Sequence, residues 1–175
     1  SCIYKKSHWT SILKNKKMRK YKLFLIGLMF IVFGSCNSNR IFEDHLDLSA
    51  GLEWQQSQKL KYTFDIDQAP KDYRIVIALR YITGFQFQDM RVKMTIKSPS
   101  GKLAEKEYTM RVIDENKEYL GDGAGDIWDL EVPAEENYHF EEVGSYAIEI
   151  EHAMPVDPVP NVMEFGVIIE KTGQE

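Results

Sequence analysis

Three glycines and three aspartates share the nine positions 121–129, and a loop of this composition could bind a cation or a phosphate group. A calcium EF-hand needs oxygen ligands at alternate positions and a glutamate at the twelfth, with a helix on each side. Here the aspartates are spaced by four and three residues, and the flanking segments are typical of strands. A phosphate-binding loop needs a lysine and a hydroxyl residue leading into a helix, which this segment lacks. Both of these site patterns are therefore excluded.

The remaining interpretation is a wide turn, in which glycines adopt positive φ and aspartates cap backbone NH groups. Half of one Gly-x-Gly-x-Asp calcium repeat is present at 123–127, whereas a repeat-type site needs tandem copies. We therefore predict a structural turn at Asp122, Asp126 and Asp129, with a weak calcium site as the alternative.

The other side chains that could do chemistry lack a recognisable arrangement. His45, His139 and His152 are far apart in the sequence and lie outside zinc-protease and nucleophile-elbow motifs. The glutamate pairs at 135–136 and 141–142 could act as acid and base, although such runs usually form a solvated acidic face. The sequence predicts no catalytic residue, no metal site and no cofactor, and hence no enzymatic activity.

Aromatic residues make up 12% of the chain, enough to consider a sugar-stacking surface. A sandwich without disulfides needs large apolar side chains in its core, which accounts for most of these rings. Phe85 and Phe87 differ because they lie in a predicted loop between strands, where an apolar ring either packs back or forms a contact surface. We predict a partner contact at these two residues.

Charge is divided unevenly along the chain of 175 residues. Residues 1–35 hold eight of the 22 basic residues and none of the 27 acidic ones. Residues 36–175 therefore carry 14 basic and 27 acidic side chains, a net charge of −13. A body this acidic repels phosphate backbones, which argues against nucleic acid as a partner.

The basic segment has the features of a bacterial export signal. From Met18 a basic start leads into the apolar run 23–33, which is shorter than the ~20 residues needed to cross a bilayer and suits a secretory signal. Phe33-Gly34-Ser35-Cys36 then resembles a lipobox, in which the cysteine receives lipid and becomes the first mature residue. We predict a helical lipoprotein signal peptide over residues 18–35 and lipidation of Cys36, with a plain signal peptide as the alternative.

Residues 1–17 precede Met18 and are interpreted as a disordered upstream extension. Cys2 would leave with that extension and Cys36 would carry lipid, so the mature domain is expected to have no free thiol. This excludes disulfides, thiolate–metal sites and cysteine nucleophiles. The core alone must then stabilise the fold.

Beyond residue 56 the hydrophobic pattern has the period of two that strands show. The nearly continuous apolar run at 73–81 indicates a central strand buried on both faces, and 98–102 a hairpin turn. Only 134–138 suggests a short helix. We predict a tether over residues 36–55, then over 56–171 an all-β domain, an antiparallel β-sandwich of about seven or eight strands with jelly-roll or immunoglobulin-like topology.

Several short motifs follow one another in a defined order and spacing. The motifs are the lipobox, 38–43 (SNRIFE), Trp54 before 64–66 (FDI), Arg80 after a strand, 92–96 (VKMTI), 99–102 (PSGK), 119–127 (YLGDGAGDI), 144–146 (GSY) and 148–154 (IEIEHAM). In that order the chain resembles the GldH-type gliding-motility lipoproteins of the Bacteroidota, over essentially all of residues 36–171. The order and spacing of the motifs together carry the resemblance, since each motif alone has little specificity.

The resemblance implies a lipid-anchored cell-envelope protein that serves the gliding machinery, which in that phylum is linked to type IX secretion. The implied partners are the membrane, through the N-terminal lipid, and other envelope motility or secretion proteins. The family has no catalytic residue to transfer, which agrees with a structural or assembly role. Asn37-Ser38-Asn39 lacks the acidic cluster associated in this phylum with surface export, so a periplasm-facing anchor is predicted.

Two other functions are open alternatives at this point. A carbohydrate-binding envelope lipoprotein would use exposed rings such as Phe85 and Phe87. A hydrolase would need a cleft with two facing carboxylates, and the sequence contains no motif that indicates one.

Overall fold

The computed structural model describes residues 39–48 and 50–172. The predictions for residues 1–17, for the signal helix at 18–35 and for lipidation of Cys36 lie outside the described residues. Within these ranges the protein has eleven strands and no helix, and its antiparallel sheets pack as a sandwich, which confirms the predicted all-β fold class. No helix in the described ranges has the length and apolar character to cross a membrane.

Eight of the strands are long, and β2, β7 and β10 have only two or three residues. Seven of the long strands lie in the predicted sandwich at 56–171, whereas β1 lies in the predicted tether. The strands are β1 (Arg40–Asp47), β2 (Glu53–Trp54), β3 (Leu60–Ile66), β4 (Lys71–Ile82), β5 (Asp89–Lys97), β6 (Leu103–Arg111), β7 (Asp122–Ala124), β8 (Ile127–Phe140), β9 (Gly144–His152), β10 (Val159–Pro160) and β11 (Val162–Lys171).

The long strands form two antiparallel sheets. The larger sheet has the order β1-β11-β4-β8, with β7 added beside β8, and the smaller has the order β3-β9-β5-β6. These two strand orders are those of a jelly roll. β2 and β10 form a separate two-stranded ribbon. Of the two topologies predicted, the structure therefore has the jelly roll.

Both sheets turn one face towards a shared hydrophobic core. β3 alternates buried and exposed residues along its whole length, as its period-two pattern predicts. β4 is buried on both faces at its centre, because Val76 and Ala78 pack with Ile168 on the side away from the core. The double burial predicted for this strand is confirmed.

Phe140, the last residue of β8, is the centre of an aromatic cluster in the core. Its side chain is 0% exposed. The centroid of its ring lies between 4.7 and 5.8 Å from four neighbouring ring centroids, those of Phe64, Tyr73, Tyr138 and Tyr146. Since Phe64 and Tyr146 belong to the smaller sheet and Tyr73 and Tyr138 to the larger, this cluster joins the two sheets.

Two segments differ from the sequence prediction. Arg40–Asp47, within the predicted tether, forms the edge strand β1 and pairs with β11. Its hydrophobic alternation is weak because much of an edge strand is partly exposed. Residues 134–138, suggested as a short helix, continue β8, because pairing with β4 outweighs the helix preference of alanine and glutamate.

The strands run between two ends of the sandwich, which we call the near end and the far end. The near end is where the chain enters: residues 39–40, the turns at 67–72, 97–103 and 141–144, and residues 171–172. The far end consists of 50–59, 83–88, 112–126 and 153–161. β8, with 14 residues, runs from the far end to the near end, a length of roughly 45 Å at ~3.3 Å per residue.

His152 is a buried titratable residue at the far end of β9. Its side chain is 0% exposed, and its ring packs edge-on against Trp54, with the centroids 5.6 Å apart. The Met154 amide donates to Nδ1 at 3.4 Å. Among the described residues Nε2 has no hydrogen-bond partner, and the Asp157 carboxylate lies 3.7 Å away. Burial lowers the pKa of His152, and Asp157 offsets only part of that effect.

We expect the protein to lose stability as the pH falls below about 6.5, the usual pKa of histidine. Because the pKa of His152 is lowered in the folded state, the unfolded chain takes up the proton first, and stability declines until the folded-state pKa is passed. Urea unfolding at about pH 7.5 and 5.5 measures the change, with His152→Phe as the comparison. That variant keeps a ring against Trp54 and should lose less stability on acidification, whereas equal losses would contradict the prediction.

Candidate functional site

The glycine–aspartate segment at 121–129 forms a hairpin at the far end. β7 pairs with the start of β8, and Gly125 and Asp126 form the two-residue turn between them. Gly125 has a φ of 68°, as the first central position of a type II′ turn requires. The Thr83 amide donates to the Asp126 carbonyl at 2.8 Å, which holds the hairpin against the loop between β4 and β5.

Two glycines in this segment allow close packing. At Gly121, where φ is 106°, a Cβ would lie 2.9 Å from the carbonyl carbon of Asp129 and closer still to its oxygen. At Gly123 a Cβ would lie 2.9 Å from the ring of Trp128. The Trp128 Nε1 donates to the Thr83 hydroxyl at 3.3 Å, so the indole joins the hairpin to the neighbouring loop. The glycines therefore serve backbone and ring contacts.

Gly121→Ala is expected to lower the free energy of unfolding by about 2–4 kcal/mol, because the new Cβ must displace backbone atoms while the residue keeps a positive φ. Gly125→Ala is the matched control: φ is positive there too, but nothing lies within 4 Å of a Cβ. Its expected loss is about 1 kcal/mol. Denaturant unfolding of both variants measures the difference. Equal losses would show that backbone strain, and not the contact with Asp129, sets the cost.

The three aspartates of the hairpin have different surroundings. Asp129 accepts hydrogen bonds from Nε and Nη2 of Arg80 at 2.6 and 3.2 Å. Arg80 also donates to Glu164 at 2.7 Å, and Asp129 and then Glu164 raise the pKa of Arg80. Asp122 and Asp126 are exposed. No group of three or more acidic, histidine or cysteine side chains in the described ranges is arranged to hold a metal ion. A weak calcium site here stays a prediction.

The two loop phenylalanines predicted to contact a partner pack back onto the protein. Phe85 is 1% exposed, with its ring centroid 5.5 Å from that of Tyr81, and Phe87 packs partly buried against the core. The loop is held by the Tyr119 hydroxyl, which accepts from the Gly84 amide at 2.8 Å and donates to the Phe85 carbonyl at 3.3 Å. The ring of Phe85 is therefore a core element on which no sugar or partner can stack, while contact through Phe87 stays a prediction.

The adjacent glutamates on β8 point in opposite directions. Glu135 is turned towards the smaller sheet, where Lys106 and the Tyr108 hydroxyl each donate to its Oε1 at 2.6 Å. Burial acts in the other direction, but these hydrogen bonds keep the pKa of Glu135 below its usual value. Glu136 accepts from Arg74 at 2.8 Å on the outer face of the larger sheet. Two carboxylates so placed cannot act as acid and base on one bond.

An ion-pair network covers the outer face of the larger sheet, and sequence reasoning missed it. Arg40 contacts Glu43, Glu131 and Glu170 at 2.7–3.1 Å, and Glu43 and then Glu131 raise the pKa of Arg40. Arg74 lies 3.7 Å from Glu170 and extends the network. The partners of Arg40 lie up to 130 residues away in the chain, and no local sequence pattern pairs them.

The fold and these surfaces define the class of protein. The described chain is a jelly-roll β-sandwich with one shared core. Packed aromatic rings and the glycine hairpin lie at its far end, and ion pairs join neighbouring strands on its outer faces. The acidic and histidine side chains considered for chemistry are dispersed over both sheets and are not gathered in one cleft.

Comparison with known families identifies the particular one. The GldH lipoprotein family matches residues 40–169, nearly the whole of the described sandwich. The chain therefore belongs to the GldH lipoprotein family, as the resemblance of its motifs indicates.

The similar proteins include two named for gliding motility. The gliding motility lipoprotein GldH homolog of Christiangramia forsetii is 24% identical, over 87% of this chain and 96% of its own length. The gliding motility lipoprotein GldH of Flavobacterium johnsoniae is 26% identical, over 74% of this chain and 79% of its own length. Among solved structures, dimeric latent PorU from Porphyromonas gingivalis is 11% identical with a TM-score of 0.31, over 76% of this chain and 13% of that chain. That likeness is too distant to carry an argument.

Proposed function

We propose that this protein is a lipid-anchored structural or assembly component of the gliding-motility machinery of the cell envelope, linked to type IX secretion and without catalytic activity. The observation that carries the proposal is the family match over residues 40–169, together with relatives named as gliding-motility lipoproteins. Because the relatives align over 87% and 74% of this chain, the match involves the whole sandwich and not a single motif.

The attachment proposed is a lipid on Cys36, since Phe33-Gly34-Ser35-Cys36 resembles a lipobox and β1 begins only four residues later, at Arg40. Several acyl chains, at about 0.8 kcal/mol per buried methylene, hold a protein far more firmly than one chain does. We place the anchored domain on the periplasmic side, because Asn37-Ser38-Asn39 lacks an acidic cluster.

The non-catalytic role is supported by the surroundings of the side chains first considered for chemistry. Asp129 is paired with Arg80, and Glu135 with Lys106 and Tyr108. The carbohydrate-binding alternative loses one of its two proposed stacking rings, because Phe85 is 1% exposed. A role in contacts with other envelope proteins is consistent with both observations.

A photo-crosslinking experiment in the native envelope tests the proposal. A photoreactive residue replaces Ile127, which is 36% exposed on the far-end hairpin, and separately Thr109, which is exposed on the outer face of the smaller sheet. We expect the lipidated chain labelled at Ile127 to capture motility or secretion proteins more strongly than the Thr109 control. Capture of polysaccharide-uptake proteins instead would support the carbohydrate-binding alternative, and equal capture at both positions would contradict a specific contact at the far end.

A further inference from the structure

The near end of the sandwich is held close to any lipid carried by Cys36. Four residue steps separate Cys36 from Arg40, and a fully extended chain covers at most about 14 Å in that length. Asn39 is fixed to the end of β11, because its carbonyl accepts from the Lys171 amide at 2.8 Å. The sandwich therefore begins only a short chain segment, residues 37–39, after the residue proposed to carry the lipid. This inference rests on the proposed lipid anchor.

The same end carries exposed apolar side chains. Leu103 and Val143 are 64% and 59% exposed, more than any other large apolar side chain in the described ranges. Leu103 begins β6 after the turn at 97–103, and Val143 lies in the turn between β8 and β9. Both positions belong to the near end, so these exposed apolar side chains lie at the same end of the sandwich as the connection to Cys36.

The two turns that present these side chains are joined to each other. The Ser100 amide and hydroxyl donate to the two carboxylate oxygens of Glu142 at 3.0 and 2.7 Å. Lys102 donates to Glu141 at 3.3 Å, and a Cβ on Gly144 would lie 3.1 Å from the ring of Pro99. Leu103 and Val143 therefore project from one connected surface and not from two independent loops.

Charge also distinguishes the two ends. The near end has five basic residues and four acidic ones, a net charge of +1, whereas the far end has two basic and seven acidic ones, a net charge of −5. Lys97 and Lys171 are exposed at the near end, and neither has an ion-pair partner in the described part of the chain. An anionic bilayer therefore repels the acidic far end. At the near end the unpaired ammonium groups of Lys97 and Lys171 can bind lipid phosphates.

We propose that the near end docks on the membrane surface, with Leu103 and Val143 in the boundary between headgroups and acyl chains and with Lys97 and Lys171 at the lipid phosphates. Two apolar side chains alone bind a bilayer weakly. Because a short segment connects the sandwich to the lipid, the contact with the bilayer is effectively intramolecular. The resulting high effective concentration allows a surface of low intrinsic affinity to stay bound. The far end then faces away from the bilayer.

Site-directed fluorescence on the full lipidated chain tests this orientation. Single cysteines at Leu103→Cys, Val143→Cys and, as the control at the far end, Ile127→Cys carry an environment-sensitive dye, in vesicles of phosphatidylethanolamine and phosphatidylglycerol. All three positions are exposed, and thermal melts of the labelled proteins check that the fold is kept. We expect a blue shift, and a loss of emission with lipids that carry a quencher, at 103 and 143 and neither effect at 127.

The outcomes separate this inference from the lipid anchor on which it rests. Flotation of the protein with vesicles reports the anchor, whereas the dye signals report the docked surface. If the chain floats while the dyes at 103 and 143 stay in water, the docking is overturned and the anchor is supported. The near end would then be a surface for contact with a protein. Equal quenching at 127 overturns the orientation. A chain that fails to float contradicts the proposed anchor itself.

Discussion

Cys36→Ala is expected to move the protein from the membrane fraction to the soluble fraction while leaving the sandwich folded. Cys36, the proposed site of lipidation, lies four positions before β1, so its replacement would remove the proposed anchor without changing a strand. Each acyl chain contributes about 0.8 kcal/mol per buried methylene, and the two apolar side chains of the near end cannot replace that. Fractionation of cells after a high-salt wash, with thermal melts of the soluble variant, measures both parts of the expectation.

Cys2→Ala is the matched control, because the chain has two cysteines and only Cys36 follows the lipobox pattern. It should leave the protein in the membrane fraction. If Cys36→Ala also stayed entirely in the membrane fraction, lipid on that residue would not be the anchor. If both variants became soluble, the assignment of the signal peptide to residues 18–35 would be wrong.

Phe140→Ala is expected to lower the free energy of unfolding by about 3–5 kcal/mol, at or near the level that unfolds a marginally stable domain. The side chain is 0% exposed and contacts four other rings, drawn from both sheets. Its removal leaves a cavity between the sheets and ends four aromatic contacts at once. Denaturant unfolding, or the yield of folded protein if the loss is complete, measures the effect.

Val143→Ala is the control for that substitution, because it also removes an apolar side chain, only three residues away but 59% exposed. Its effect should stay within about 0.5 kcal/mol. A loss in Phe140→Ala as small as that would mean that the sheets repack over the missing ring, and that the aromatic cluster does not join them as its geometry indicates.

The strands of this fold could be predicted from the sequence where at least one face of a strand is buried. β3 has strict alternation, and the apolar run at 73–81 marks both ends of β4 to within two residues. β1 was missed as a strand because its edge position leaves little contrast between its faces. The choice between a jelly roll and an immunoglobulin-like sandwich could not be made, because it depends on which strands pair, as in β1 with β11, across more than a hundred residues.

The candidate site was harder to predict for the same reason. The spacing of the aspartates excluded EF-hand and phosphate-loop patterns from local rules. The burial of Phe85 depends on Tyr119, 34 residues away, and Asn161 holds Gly84 across 77 residues by donating to its carbonyl at 2.8 Å. A loop that is tied down by distant side chains and a loop that is free have the same local sequence pattern. Only the tertiary structure distinguishes an exposed ring from a packed one.

The position of β1 also has a mechanical consequence. β1 is the strand nearest the proposed anchor, and in the described part of the chain its backbone pairs only with β11, through seven residue pairs. A pull on the anchor along the strand axis loads these pairs in shear, so that they resist together. A pull across the sheet opens them one at a time, starting at Arg40. The direction of the applied force therefore decides how great a load the sandwich bears before its first strand detaches.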